Sequence, residues 1–93
     1  GEPFCQPEAL LPLARGAREQ GKDVTIYSGY TLEQLLEMAK DHPAILDLLR
    51  ACDILVDGPY VEQLRDLTLT FRGSSNQRIL VLKEVLPPQQ KKP

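Results

Sequence analysis

The chain has 93 residues, of which 42% are hydrophobic and 26% are charged, so it can form one small hydrophobic core but not two domains. Its 11 Lys and Arg against 13 Asp and Glu give a formal charge of −2, which excludes the basic excess typical of nucleic-acid or membrane-surface binding. No apolar run approaches the roughly 20 residues that span a bilayer, and no secretory leader is recognisable. We therefore expect a soluble, cytoplasmic protein without a nucleic-acid or membrane partner.

The two cysteines, Cys5 and Cys52, stand far apart in segments that resemble a loop and a helix end. Neither has the paired spacing of a disulfide framework or a metal site. Both are predicted to be free thiols.

The first helix is predicted to begin at Pro7 and Glu8, because proline is favoured at the first helical position and an acid in the first turn. Pro12, inside this helix, predicts a kink or an irregular turn. Gly21 is suited to end the helix in the left-handed conformation. The expected apolar face consists of Leu10, Leu13, Ala14 and Ala17.

Two apolar segments, Val24–Tyr27 and Ile54–Val56, have the composition of buried strands. The helix between them is predicted to begin at a capping box formed by Thr31 and Gln34. Its pattern is interrupted at Asp41–Pro43, where Asp41 or His42 would cap a second helical piece and His42 is expected to be solvated. Strand, broken helix and strand make a right-handed βαβ unit with parallel strands.

Three polar loops should meet at one edge of this sheet, because each follows, or would follow, a parallel strand. They are residues 1–3 (Gly-Glu-Pro), 28–30 (Ser-Gly-Tyr) and 57–59 (Asp-Gly-Pro). Ligands of parallel α/β folds gather at the carboxyl ends of the strands, so these loops are the candidate binding site.

The last third of the sequence has a less distinct pattern. Residues 61–64 are compatible with one helical turn, and residues 67–71 alternate like a half-exposed strand. The segment Ile79–Leu82 has the composition of a strand, although Asn76 as N-cap with Ile79, Leu82 and Leu86 at helical spacing suits a helix equally well. Residues 1–86 are expected to form the ordered part and 87–93 a disordered tail.

These motifs carry a family resemblance. Residues 1–3 resemble the end of the Gly-Gly-Glu-Pro motif of radical S-adenosylmethionine enzymes. Residues 26–31, 55–60 and 71–78 (Ile-Tyr-Ser-Gly-Tyr-Thr, Leu-Val-Asp-Gly-Pro-Tyr and Phe-Arg-Gly-Ser-Ser-Asn-Gln-Arg) resemble, in order and spacing, the anaerobic ribonucleoside-triphosphate reductase activating proteins. The likeness extends to about Leu86, and the last motif is the most specific.

The resemblance implies an α/β fold that is part of a (β/α) barrel of the radical S-adenosylmethionine type, with parallel strands and crossover helices. It implies two cofactors, S-adenosylmethionine and a 4Fe–4S cluster that cleaves it reductively. The 5′-deoxyadenosyl radical so formed would abstract hydrogen from a glycine of the reductase large subunit, which is the implied partner.

One departure from the family pattern limits the activity that the resemblance implies for this chain. The Cys-x-x-x-Cys-x-x-Cys loop that holds the cluster in the family is missing, and Cys5 and Cys52 cannot replace it. The resemblance thus implies a carboxyl-terminal part of an activating enzyme, inactive by itself.

The cofactor-binding residues implied by the resemblance each have a structural alternative. The loop at residues 1–3 could be a plain turn, Ser28 and Gly29 could serve helix capping, Asp57 could cap the turn through Gly58, and residues 74–76 could close a turn. Arg72 and Arg78 could bind a carboxylate or the partner. The implied S-adenosylmethionine contacts are Gly1, Glu2, Pro3, Ser28, Gly29, Asp57 and Asn76.

Two further expectations remain open from the sequence. The chain could instead be a non-catalytic α/β binding or interaction domain whose polar loops are only caps and turns. A sheet that lacks a neighbouring strand is also expected to pair with a second copy, through edge-to-edge strand addition or exchange of Ile79–Leu82, so a homo-oligomer is predicted.

Overall fold

The computed structural model describes residues 2–59 and 76–87 of the chain. A short 3-10 turn, Pro3–Cys5, leads into α1 (Pro7–Glu19), β1 (Thr25–Tyr27), α2 (Leu32–Met38) and α3 (Ala44–Ala51). The strand β2 (Ile54–Asp57) follows, and β3 (Arg78–Val81) runs directly into the short helix α4 (Leu82–Val85). Several predicted features lie outside the described residues. They are those at Gly1, residues 61–64, residues 67–71, Arg72, Ser74, Ser75 and the tail beyond Pro87.

The three described strands form one sheet in the order β1-β2-β3. β1 and β2 are parallel, with Ile26 opposite Leu55, and the broken helix α2–α3 connects them, which confirms the predicted order of elements and the parallel pairing of the βαβ unit. The described part of the chain forms no closed barrel.

β3 is antiparallel to β2, with Asp57 opposite Arg78, so the expectation of parallel strands throughout is wrong for this strand. The reason is local: the side-chain amide of Gln77 donates to the Gly58 carbonyl at 2.9 Å, and that of Asn76 to the Pro59 carbonyl at 2.8 Å. The chain therefore enters β3 at the same sheet edge where it left β2, and β3 must run back alongside it.

The strand and helix alternatives for Ile79–Leu82 are both partly right, because the boundary falls inside the segment. β3 ends at Val81 and α4 begins at Leu82. Leu82 is buried in the core, which fixes the point at which the chain turns from strand to helix.

The hydrophobic core lies between the helices and one face of the sheet. Leu55 is wholly buried there, with Ile26 and Leu80 of the neighbouring strands packed against the core. The other members come mainly from the helices and include Phe4, Ala14, Leu32, Leu35, Ile45, Leu48, Leu49, Cys52 and Leu82. Fully burying a Leu or Ile side chain contributes about 1.5–3 kcal/mol, so this layer is the main source of stability.

The helices agree closely with the sequence prediction, with two exceptions. Gly21 adopts φ +76°, and the hydrogen bonds Gly21 N–H to Arg18 O and Lys22 N–H to Ala17 O complete a Schellman ending of α1. α1 continues as one helix through Pro12. Leu13 is 69% exposed, so the expected apolar face is wrong at this position, because Leu11 packs on the core instead.

The second exception is the start of α3, where Pro43 is the N-cap and no side chain caps the helix. His42 is not merely solvated: its Nε2 lies 2.7 Å from Glu8 Oε2 and joins the start of α1 to the break between α2 and α3. This hydrogen bond lowers the pKa of the Glu8 carboxyl below its ordinary value.

Cys52, at the end of α3, provides a test of core packing at high pH. Burial, reinforced by the nearby Asp53 carboxylate, raises the pKa of this thiol from 9.0 to about 11. The buried neutral thiol therefore makes its full contribution to the free energy of unfolding below pH 9. This contribution is lost as the pH rises through 11, because the thiol of the unfolded chain ionises first. We expect Cys52→Ala to lose less free energy of unfolding than wild type between pH 8 and pH 10, as measured by urea denaturation.

Cys5 is the matched control, since it is exposed. Cys5→Ala should reproduce the wild-type pH dependence. Equal pH dependence in wild type and Cys52→Ala would contradict the burial of the thiol.

Candidate functional site at the carboxyl edge of the sheet

The Glu2 carboxylate joins the first loop to the end of β1. It accepts hydrogen bonds from the backbone N–H of Phe4 at 3.0 Å and of Gly29 at 2.7 Å. The Ser28 hydroxyl lies 3.0 Å from both carboxylate oxygens and donates its single hydrogen to one of them. Ser28 also accepts from the Tyr30 N–H at 3.0 Å. Two loops separated by 26 positions in the sequence are thereby fixed against each other.

Glu2 keeps some capacity for a ligand. A carboxylate has about four acceptor positions, and three are used here. Glu2 is half-buried and Gly29 is exposed, so a cationic donor such as an ammonium can approach this carboxylate from solvent. A Cβ added at Gly29 would lie 3.5 Å from Glu2 Oε1, which leaves the contact tolerable but close.

The Asp57 carboxylate, at the end of β2, is fully buried and fully engaged. Its Oδ2 accepts from the N–H of Leu32, the first residue of α2, at 2.7 Å. Arg78 binds both oxygens, with Nε 2.9 Å from Oδ1 and Nη2 in short contact with Oδ2. Asp57 therefore links the ends of three elements, β2, α2 and β3.

Arg78 is held by two carboxylates at once. Its Nη2 also lies 2.6 Å and 3.0 Å from the oxygens of Glu33 in the first turn of α2. The hydrogen bonds to Asp57 and then to Glu33 raise the pKa of Arg78 above its ordinary value. Of the two functions open to Arg78 from the sequence, the structure shows carboxylate binding within the chain.

The start of α2 is organised by the predicted capping box, which the structure confirms. Thr31 Oγ1 accepts from Gln34 N–H at 3.1 Å, and the Gln34 side chain accepts from Thr31 N–H at 2.9 Å. Gly58 N–H donates to Tyr30 O at 3.0 Å, so the loops after β1 and β2 are bonded directly. Gly58 has φ +98°, a backbone conformation that glycine adopts without strain.

The predicted site residues thus meet at one sheet edge, but in two separate groups. Glu2, Pro3, Ser28 and Gly29 form the first, where Pro3 contributes its carbonyl to the Gln6 N–H. Asp57 belongs to the second, and Asp57 does not cap the turn through Gly58, whose N–H donates elsewhere. The Asn76 side-chain amide donates a hydrogen bond to the Pro59 carbonyl, as its alternative role of closing a turn predicts. Gly1 lies outside the described residues.

Three contributors to this edge were not identified from the sequence. They are Glu33, which binds Arg78, the backbone N–H of Leu32, which binds Asp57, and Gln77, whose side chain binds the Gly58 carbonyl. One signal was available: an aspartate directly after three apolar strand residues is buried, and a buried carboxylate requires a cation and N–H donors.

A cavity of about 460 Å³ lies at the opposite edge, where β1 and β2 begin. Arg18, Arg50 and Lys83 line it together with Asp23 and Asp53, and Arg18 is already paired with Asp53 at 3.6 Å. Its charges nearly balance and it has no glycine turn. The carboxyl edge, with two glycine-bearing loops and a carboxylate that keeps an acceptor position, has the more distinctive chemistry.

The family model described as a 4Fe-4S single cluster domain matches residues 1–80. The chain belongs to this family. It is 39% identical over 70 residues to the anaerobic ribonucleoside-triphosphate reductase-activating protein of Escherichia coli K12, covering 73% of this chain and 42% of the relative. The proteins of the same name from Vibrio cholerae and Haemophilus influenzae are 38% and 34% identical, over 76% and 77% of this chain and 43% and 44% of theirs.

The chain spans less than half the length of these relatives. No solved structure matches it. No helix among the described residues is both long enough and apolar enough to cross a membrane.

The residues of this chain do not fit a 4Fe–4S cluster. Such clusters are held by Cys thiolates, typically four, and this sequence has two cysteines, one exposed and one buried. Within residues 2–59 and 76–87 no three His, Cys, Asp or Glu side chains are grouped to hold a metal ion.

The Asp57–Arg78 pair gives the sharpest test of this edge. Asp57→Asn should lower the free energy of unfolding by about 2–4 kcal/mol, because an amide cannot replace a carboxylate facing Arg78 and the Leu32 N–H. Arg78→Lys should cost less, about 1 kcal/mol, because one ammonium keeps the charge but not the two parallel hydrogen bonds. Urea denaturation measures both.

Glu37→Gln is the matched control, since the Glu37–Lys40 pair is exposed on α2. Its cost should be at most about 0.5 kcal/mol. A cost of Asp57→Asn no greater than that of Glu37→Gln would show that the buried carboxylate does not hold the edge together.

Proposed function

We propose that this chain is the carboxyl-terminal part of a radical S-adenosylmethionine enzyme that activates anaerobic ribonucleoside-triphosphate reductase, in the cytoplasm. The observation that carries the proposal is the 39% identity to an activating protein over 70 residues, a stretch long enough to include most of the predicted motifs. The family match over residues 1–80 supports the iron–sulfur part of the proposal.

S-adenosylmethionine suits the carboxyl edge of the sheet. Its methionine moiety carries an ammonium, and Glu2 offers a half-buried carboxylate with an acceptor position left over. The hydrogen bonds to Phe4, Ser28 and Gly29 hold this carboxylate in one orientation before any ligand arrives, which reduces the entropy cost of binding. When bound, the cofactor would supply the 5′-deoxyadenosyl radical that generates a glycyl radical on the reductase.

The thiolates for a 4Fe–4S cluster would come from outside this chain, so the chain alone is proposed to be inactive. Its own residues would orient the cofactor and contact the reductase. The internal engagement of Ser28, Asp57 and Asn76 also suits the second candidate, a non-catalytic binding domain, because all three side chains have structural partners.

Formation of 5′-deoxyadenosine distinguishes the two candidates. We expect the 93-residue chain, after anaerobic iron–sulfur reconstitution and reduction, to form none from S-adenosylmethionine. A polypeptide that joins the chain to the cysteine-containing segment of a family member should form it, and should produce a glycyl radical signal on the reductase by electron paramagnetic resonance. Formation of 5′-deoxyadenosine by the 93-residue chain would overturn the proposal that the chain alone is inactive. Its absence with the joined polypeptide would favour the non-catalytic candidate.

We also propose that the isolated chain self-associates through strand addition. β1 and β3 are the outer strands of the sheet that the described residues form, and within those residues each pairs on one side only, with β2. Addition is favoured over exchange of Ile79–Leu82, because addition needs no opening of the folded chain, whereas exchange must first withdraw the buried Leu82 from the core.

Light scattering should therefore show a dimer or higher oligomer at micromolar concentration. Ile79→Lys, which places a charge on the outer strand, should shift the chain toward monomer. A monodisperse wild-type monomer would contradict self-association.

A further inference from the structure

The charged and hydroxyl side chains of the carboxyl edge point toward the helix layer. Asp57 is opposite Arg78 and reaches the first N–H of α2, while Ser28 is buried against Glu2. Because these groups are bonded within the chain, they support the loops from beneath. Since these internal hydrogen bonds engage the polar groups on the helix side of the edge, the other side of the sheet is a candidate contact surface for a ligand.

That other side is here named the second face, and it is defined by strand alternation and register. In a strand successive side chains point to opposite faces, so the residues that flank Ile26, Leu55 and Leu80 share a face away from the core. None of them belongs to the core cluster, and none carries a charge. The six residues are Thr25, Tyr27, Ile54, Val56, Ile79 and Val81.

Tyr27 is the member of the second face nearest to the candidate site. It is the last residue of β1 and stands directly before Ser28 and Gly29, which Glu2 binds. It shares a row with Val56, which is buried, and Ile79. The side chain of Tyr27 is 49% exposed, although a strand tyrosine beside an apolar row would ordinarily be covered.

We propose that Tyr27 is a ligand-contact residue, and that its ring stacks on the purine base of an adenosyl compound bound at this edge. The inference rests on the proposed function. It adds Tyr27 to the cofactor contacts that the family resemblance implies, which do not include this residue. Aromatic rings bind nucleobases by their π-faces, and the six described residues of the second face carry no charge, which suits a neutral base. The Glu2 carboxylate, by contrast, suits the cationic half of the same ligand.

The test is titration of the 93-residue chain with S-adenosylhomocysteine, followed by nuclear magnetic resonance and by calorimetry. This probe retains the base and the amino acid but undergoes no reductive cleavage at a cluster. We expect shift changes at Tyr27 and Ile79 together with Gly29. Tyr27→Ala should weaken binding about tenfold or more, whereas Tyr27→Phe, which keeps the π-face, should remain within about twofold of wild type.

Adenosine and methionine separate the two halves of the probe. Adenosine binding should be lost in Tyr27→Ala, whereas methionine binding should be the same in both proteins. Leu13→Ala, which removes an exposed apolar side chain from α1, is the matched control and should bind like wild type.

Each contrary result overturns the assignment. Equal affinity of Tyr27→Ala and wild type, an equal loss in Leu13→Ala, or no binding by wild type would each exclude Tyr27 stacking. None of these results bears on 5′-deoxyadenosine formation by the joined polypeptide, so the proposed function stands or falls separately.

Discussion

The geometry of the candidate site depends on one buried carboxylate. Asp57 has no solvent exposure, and leaving a charge there without partners would be far more costly than the net stability of a small domain permits. Arg78 and the Leu32 N–H compensate it, and in doing so they fix where α2 begins and where β3 enters the sheet. The antiparallel direction of β3, which the strand's own composition does not encode, is the geometry that brings Arg78 opposite Asp57.

A second carboxylate at the same edge has a different task because its environment differs. Glu2 is half-buried, and its partners are two backbone N–H groups and a hydroxyl, none of which carries a charge. Its negative charge therefore remains uncompensated within the described residues, whereas that of Asp57 is matched by Arg78. The edge combines a neutralised carboxylate that provides rigidity with an unneutralised one that can attract a cation.

Local signals in the sequence predicted the local parts of the fold. The Thr31–Gln34 capping box, the glycine end of α1 and the two parallel strands each depend on residues within a few positions or on a strong apolar pattern, and the structure confirms all three. The long-range parts were not predictable in this way. The Glu2–Ser28 and Glu33–Arg78 contacts join residues 26 and 45 positions apart, and no periodicity reports such pairs.

Two of the sequence expectations were decided by tertiary packing. Leu13 has the spacing of a core residue but lies outside the part of the α1 surface that packs on the core. α1 has more apolar positions than this packing can cover. The strand–helix ambiguity at Ile79–Leu82 arose because both patterns are present, and burial of Leu82 decides the boundary. In both cases tertiary packing chose among alternatives that were locally acceptable.

The hydrogen bonds described for Glu2, Ser28, Asp57 and Arg78 are made within residues 2–59 and 76–87, which bears on the proposed division of function along the longer protein. Glu2, Ser28, Asp57 and Arg78 need no additional polypeptide to reach their partners. The thiolates for a cluster, in contrast, are not present in this sequence in sufficient number. Under the proposed function, orientation of the ligand would therefore belong to this chain, and the supply of electrons would belong to a stretch that carries the cluster thiolates.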